Sequence, residues 1–121
     1  MPERKHLLTI DDSHTVLEFL RRLLSPKYRV SVSLTAMGGF EILEKEAVDL
    51  VITGYNLSID HSGLDVLDFV REKYGDLPVI MLTGWNAPEL REECKRKGAG
   101  FLAKTCDLEE LKGLIEKELA Q

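Results

Sequence analysis

Five short apolar runs alternate with five segments of helical periodicity, and this alternation limits the possible folds more than any other feature of the chain. The runs cover residues 6–10, 29–34, 48–53, 78–83 and 100–103. Three are close to unbroken: Leu7-Leu8-Thr9-Ile10, Leu50-Val51-Ile52 and Val79-Ile80-Met81-Leu82. A strand with one wet face alternates apolar and polar residues, whereas a strand covered on both faces does not. Strands of the second kind, each followed by a helix, predict a parallel α/β sheet with helices on both sides. Right-handed crossovers make that sheet doubly wound. At 121 residues the chain is sized for one domain, 1–121, whose core needs no disulfide or metal staple. No linker, repeat or low-complexity tract breaks it up, and no attached effector domain is expected.

The helical segments have readable ends. Ser13 is placed to cap the first, which lines up Val16, Leu17, Leu20, Leu23 and Leu24 and stops at Pro26. The second is expected to begin near Met37 and Gly38, with Phe40, Ile42 and Leu43 inward and its two glycines fraying the first turn. The third is expected over 63–73, with Leu64, Leu67 and Val70 at helical spacing beside Val66 and Phe69. The fourth begins around Asn86–Pro88, since proline is tolerated in a first turn, and closes at Gly98. Asp107 and Glu110 form a capping-box pair at the start of the fifth. Leu108, Leu111, Leu114 and Ile115 are then expected to face inward.

The net charge of -5 argues against a nucleic-acid binder, which carries a basic face. No apolar stretch approaches a membrane span, and no signal peptide precedes the first strand, so a cytoplasmic protein is expected. Cys94 and Cys106 make no disulfide framework and read as reduced thiols.

In an open parallel sheet, ligands sit outside the carboxyl ends of the strands. That rule gathers Asp11, Asp12, Gly54, Thr83, Gly84 and Lys104 at one edge. Two adjacent carboxylates resist joint ionisation unless a cation offsets them. Lys104 can be that cation, pairing with Asp11 or Asp12, while Asp12 helps Ser13 cap the first helix. Thr83 in this setting is a strand-end hydroxyl bonded to backbone or water.

The stretches 49–57 (Asp49-Leu50-Val51-Ile52-Thr53-Gly54-Tyr55-Asn56-Leu57), Gly63-Leu64-Asp65-Val66-Leu67 and Pro78-Val79-Ile80-Met81-Leu82-Thr83-Gly84 carry a resemblance. In this order, with Asp11-Asp12 after the first strand and Lys104 after the fifth, they resemble the receiver domain of bacterial two-component response regulators. The resemblance runs from Leu7 to Leu119. It implies a CheY-like, flavodoxin-like (βα)5 fold with strand order 2-1-3-4-5. It implies a role in phosphorelay signal transduction and no enzyme activity. In the family an aspartate at the position of Gly54 accepts a phosphoryl group. Mg²⁺, a hard ion that takes oxygen ligands, is held by the acid pair, by that aspartate and by a backbone carbonyl, here Asn56. Lys104 and Thr83 would contact the phosphoryl oxygens. Phe101 matches an aromatic whose rotamer reports activation, and lacking a hydroxyl it should prefer the buried state. The surface of helix four, strand five and helix five would meet a histidine kinase or a downstream signalling protein.

The departures carry as much information. Gly54 has no side chain to phosphorylate. Ser58 stands where proline is usual, and the loop from Asn56 to Gly63 is one residue longer than the common form. Thr105 follows the lysine where the family has proline, often in a cis bond. A non-proline cis bond costs ~3 kcal/mol, so Lys104–Thr105 is expected to be trans. The resemblance therefore implies a pseudo-receiver: a phosphorylation-independent interaction module, monomeric or weakly dimeric. No cofactor is expected, and Mg²⁺ binding at Asp11 and Asp12 is expected to be weak or lost. Two alternatives stay open. One is a phosphoacceptor at Asp12 or Asp60, with His14 and His61 as remoter options. The other is a small-anion sensor built on Thr83, Gly84 and Lys104. Trp85 reads either as an interface anchor or as packing over the vacant site. Lys95, Arg96 and Lys97 read as a solvated face that would suit an acidic partner.

Overall fold

The computed structural model describes residues 4–57 and 61–120. Ten elements alternate: β1 (His6–Ile10), α1 (His14–Leu24), β2 (Arg29–Ser33), α2 (Ala36–Lys45), β3 (Leu50–Thr53), α3 (Gly63–Tyr74), β4 (Val79–Thr83), α4 (Pro88–Arg96), β5 (Gly100–Ala103) and α5 (Leu108–Leu119). All strand pairs are parallel, in the order β2-β1-β3-β4-β5. This is the doubly wound topology that the unbroken apolar runs predict. The central strands β1, β3 and β4 are buried along their whole length, while edge strand β2 exposes Arg29 and Val32.

Strand side chains alternate between two cores, as the period of two requires. Leu7, Leu50, Ile52, Ile80 and Leu82 pack against Leu20 and Leu24 of α1 and Leu111 and Ile115 of α5. Leu8, Ile10, Val51 and Val79 face the other way, onto Ala36 and Leu43 of α2 and Val66, Leu67 and Val70 of α3. A smaller cluster of Met81, Ala87, Leu90 and Cys94 seats α4.

The helix ends follow their capping residues. The Ser13 hydroxyl accepts from the Val16 N–H, and α1 stops just before Pro26. Asp107 and Glu110 form the expected capping box on α5. Two expectations about the helices need correction. Helix α2 begins at Ala36, capped by the Thr35 hydroxyl, and runs regularly through both glycines. Its glycines serve close approach: a Cβ on Gly39 would lie 2.4 Å from Ile10 Cδ1. Leu108, expected inward, is 41% exposed because the capping box places it on the outer first turn of α5. No cis peptide occurs among the described residues, so Lys104–Thr105 is trans.

Candidate functional site

The strand order reverses between β1 and β3, and the crevice at such a reversal is where open α/β sheets bind ligands. Backbone pairing carries past the strand ends and fixes what reaches this crevice. The Asp11 N–H donates to the Ser33 carbonyl at 3.1 Å, and the Gly54 N–H to the Ile10 carbonyl at 2.9 Å. The Lys104 N–H donates to the Thr83 carbonyl at 2.9 Å. Asp11, Gly54 and Lys104 are therefore held by the sheet itself.

Asp11 and Lys104 meet. Lys104 Nζ lies 3.0 Å from Asp11 Oδ2, with the two side chains 34% and 5% exposed. The other carboxylate oxygen, Oδ1, accepts from the Ser13 N–H at 3.0 Å, tying the pair to the start of α1. Both oxygens of Asp11 are thus engaged. An ideal Cβ on Gly54 would fall 2.8 Å from Asp11 Oδ2 and 3.5 Å from its Cγ. The carboxylate occupies space that any side chain at position 54 would contest. The pairing of Lys104 with Asp11 is the arrangement expected for an amine with no phosphate to bind. The expectation that Asp12 helps cap α1 is corrected: Asp11 makes that contact, while Asp12 is exposed and has no hydrogen bond or ion pair among the described residues.

Around this pair lies an open cleft of about 430 Å³ lined by Asp12, Gly54, Asn56, Thr83, Gly84 and Lys104, with Tyr55 and Trp85 at its rim. Thr83 is buried, and its hydroxyl accepts from the Trp85 N–H at 3.1 Å, the backbone role expected of a strand-end threonine. The Gly54 carbonyl accepts from the Thr53 hydroxyl at 2.9 Å. Gly63 packs so tightly over it that a Cβ there would lie 2.2 Å from the Gly54 oxygen. That contact, with the Gly63 N–H donating to the Tyr55 carbonyl at 2.7 Å, sets the start of α3 against the cleft.

The chemistry available is limited. Asp11 and Asp12 are the carboxylates that the strand ends bring here, and Asp11 has both oxygens committed to the lysine and a backbone N–H. No group of three metal-binding side chains occurs among the described residues. The side chains do not fit a Mg²⁺ site as they stand: a hard divalent ion asks for several oxygen ligands, and of the two carboxylates Asp11 is paired with the Lys104 ammonium. Asn56 lies at the cleft rim, in a bridge with Ser62. Asp60 and Ser58, named from the sequence, fall outside the described residues.

The remaining sequence candidates lie farther out. Trp85 is 48% exposed and rests on Tyr55, ring centroids 4.9 Å apart, so it both packs over the cleft and faces solvent. Phe101 is only half-buried, against the expectation of full burial: the Arg91 guanidinium covers its ring at 4.6 Å and substitutes for protein packing. His14 lies on the α1–β2 side beside Leu17 and Val32. The basic run on α4 is largely neutralised, with Arg96 paired to Glu93 and Lys97 bridging to Asp68 on α3. Lys95 is exposed and has no ion-pair partner among the described residues. Two residues make contacts that no sequence pattern marks. His6 is buried between the Ala47 carbonyl at 2.9 Å and Ser31 Oγ at 2.7 Å. Arg71 donates to the backbone carbonyls of Gly75, Leu77, Lys97 and Gly98, lacing α3 to the end of α4. Among the described residues no helix is long and apolar enough to cross a membrane.

Comparison with known proteins supplies a frame. The response regulator receiver domain family matches residues 7–116. The response regulator protein PilR of Pseudomonas aeruginosa is 29% identical over 118 residues, which cover 96% of this chain and 26% of PilR. The two-component response regulator ARR6 of Arabidopsis thaliana is 30% identical, with 93% of this chain and 68% of that protein covered. Among solved structures, the signal receiver domain of an HD domain-containing protein from Pseudomonas fluorescens Pf-5 superposes with a TM-score of 0.89 at 27% identity, covering 99% of this chain and 90% of that one. The chain spans about a quarter of the length of PilR and of LuxO from Vibrio cholerae.

Proposed function

The chain belongs to the response regulator receiver domain family, and from that premise we propose that it works as a phosphorylation-independent receiver, a protein-interaction module of a two-component pathway. One observation carries this reading. The end of β3 offers Gly54 in place of a carboxylate, and the buried Asp11 carboxylate, paired with the part-exposed Lys104, fills the space and satisfies the charges that a phosphorylated site would use. Phosphoryl transfer is mostly positioning and electrostatics around an in-line acceptor. Here the acceptor is missing and the lysine is engaged. That engagement also counts against a small-anion sensor at Thr83, Gly84 and Lys104.

The partner is a histidine kinase or a downstream signalling protein, met through α4, β5 and the start of α5. Leu108, large and exposed at the start of α5, supports this face. Mg²⁺ contributes little, since Asp11 is already neutralised.

A second reading has one observation behind it: Asp12 is an exposed, unpartnered carboxylate on the cleft. The two are separated by intact mass after incubation with acetyl phosphate and Mg²⁺, with Asp12→Ala and Asp60→Ala variants alongside. No phosphoryl adduct is expected. A stoichiometric adduct abolished by one substitution would sink the proposal and make that residue the acceptor.

A further inference from the structure

The cleft outside the strand ends keeps one charge that its own residues do not settle. Asp12 and Lys104 are the charged side chains that line it, and Lys104 is paired at 3.0 Å with the buried Asp11. Asp12 is exposed and has no hydrogen bond or ion pair among the described residues. The positive end of α1 is taken up as well. The Ser13 N–H goes to Asp11 Oδ1, and the Val16 N–H goes to the Ser13 hydroxyl. His14 lies away from the cleft, beside Leu17 and Val32. Asp11, Asp12 and Lys104 together leave one negative charge in excess, and it sits on Asp12.

Two aromatic rings stand on the same cleft. Tyr55 and Trp85 are inclined at 45° with centroids 4.9 Å apart, and they divide the cleft from the groove between α3 and α4. The Trp85 N–H donates to the Thr83 hydroxyl at 3.1 Å, which fixes the backbone that carries the indole. No atom would lie within 4 Å of a Cβ on Gly84, so the wall beside Trp85 is open. Ring faces attract cations, the indole most strongly, and quaternary ammonium groups are recognised in this way. A small hard ion such as Mg²⁺ gives up its water reluctantly and asks for oxygen ligands instead.

We propose that the cleft binds a compact organic cation, an alkylated ammonium or a guanidinium. Asp12 meets its charge, and Trp85 and Tyr55 cover its apolar shell. This preference is opposite in sign to that of a phosphate site, and it holds whether or not the domain is an interaction module. The cation arrives either as a free small molecule or on an arginine side chain of a polypeptide.

Trp85 is the one tryptophan of the chain, so its fluorescence reports the rim directly. The test titrates the whole chain with tetramethylammonium, methylguanidinium and acetyl-arginine amide. The neutral counterparts tert-butanol and methylurea, then Mg²⁺ and inorganic phosphate, serve as competitors, with backbone amide shifts as a second readout. Saturable changes at millimolar cation are expected, with shifts centred on Asp12, Tyr55 and Trp85, and none with the neutral counterparts. Asp12→Asn, which breaks no contact of the fold, should weaken binding by about tenfold. Trp85→Leu, followed by amide shifts, should weaken it by about threefold to fivefold. Glu44→Gln, at an exposed carboxylate in the last turn of α2, should leave it unchanged. Tighter binding of acetyl-arginine amide than of methylguanidinium would support the polypeptide source, and the reverse order a free cation. Equal binding of the neutral counterparts would overturn the proposal, as would insensitivity to Asp12→Asn. Saturation by phosphate or Mg²⁺ in place of the organic cations would overturn it too, and so would the absence of any saturable change.

Discussion

Restoring the missing carboxylate with Gly54→Asp should destabilise the metal-free domain. The new Cβ would lie 2.8 Å from Asp11 Oδ2, a separation that real Cβ atoms do not adopt, so the Asp11 carboxylate must withdraw. It is held by Lys104 Nζ at 3.0 Å and by the Ser13 N–H at 3.0 Å. Loosening one such charge-assisted bond costs about 1.5–3 kcal/mol. The second carboxylate repels the first by about 4 kcal/mol at 4 Å and an effective dielectric of 20, but Lys104 attracts it by a similar amount, so these contributions largely cancel. Replacing glycine where the backbone is ordinary returns roughly 0.4–1 kcal/mol through the unfolded state. Gly54 meets that condition, since positive φ among the described glycines is confined to Gly75 and Gly98. The net loss is about 1–2 kcal/mol, or a melting temperature lower by about 3–8 °C for a domain of this size. Gly54→Ala carries the same Cβ and isolates the steric part, so it should fall by a similar amount. Differential scanning calorimetry with and without millimolar Mg²⁺ is the assay. Mg²⁺ should raise the Gly54→Asp variant by several degrees, because a divalent ion offsets the paired acids, and should leave the native chain unmoved. A metal-free variant melting at or above the native chain would refute the claim that Asp11 fills the space at position 54. A rise of several degrees in the native chain would show that Asp11 and Asp12 still bind the metal.

Three further outcomes follow from the same contacts. Lys104→Met should cost about 1–2 kcal/mol in urea denaturation: stranding a buried acid costs more, but Lys104 is 34% exposed and water softens the loss. Adding Asp11→Asn should recover most of it, and additive effects would show that the two residues are not coupled. Gly63→Ala should cost about 3 kcal/mol, because its Cβ would meet the Gly54 carbonyl at 2.2 Å and Met81 Sδ at 2.7 Å, and backbone cannot swing aside; a change below 1 kcal/mol would show that α3 is seated more loosely. Burial pushes the Cys94 thiol above its ordinary value of 9.0 and does the same to Cys106, there joined by the charge of Glu110. The folded state then holds these protons more tightly than the unfolded one, so stability should fall as pH rises through about 9. Iodoacetamide at pH 8 should label Cys106 slowly and Cys94 only on unfolding, and fast labelling of Cys94 by peptide mapping would contradict its burial.

The fold was legible because the signals were local. Continuous apolar runs in β1, β3 and β4 required two covered faces, and Ser13, Pro26 and the Asp107–Glu110 pair marked helix ends by hydrogen bonds within a few residues. The misreadings came from longer range. The glycines of α2 suggest a weak first turn by propensity, yet Gly39 is glycine because Ile10, on another element, occupies the place of its side chain. The lacing of Arg71 to carbonyls at 97 and 98, and of His6 to Ala47 and Ser31, joins segments that no periodicity connects. Leu108 satisfies a helical apolar pattern but falls on the exposed turn that the capping box creates.

The candidate site divides along the same line. That Gly54 cannot carry a phosphoryl group is a statement about one residue, and the sequence alone makes it. What became of the space is a statement about three. A glycine just past β3 leaves room for the carboxylate of Asp11, just past β1, and that carboxylate neutralises Lys104 from the end of β5. Each of these residues is comfortable only because of the other two: Asp11 without Lys104 is a buried unpaired acid, and a side chain at position 54 displaces the carboxylate that pairs the lysine. Here Lys104 settles the charge of Asp11 internally, while Asp12 stays exposed on the cleft; on the proposed reading the exposed surfaces rather than the cleft exchange the signal.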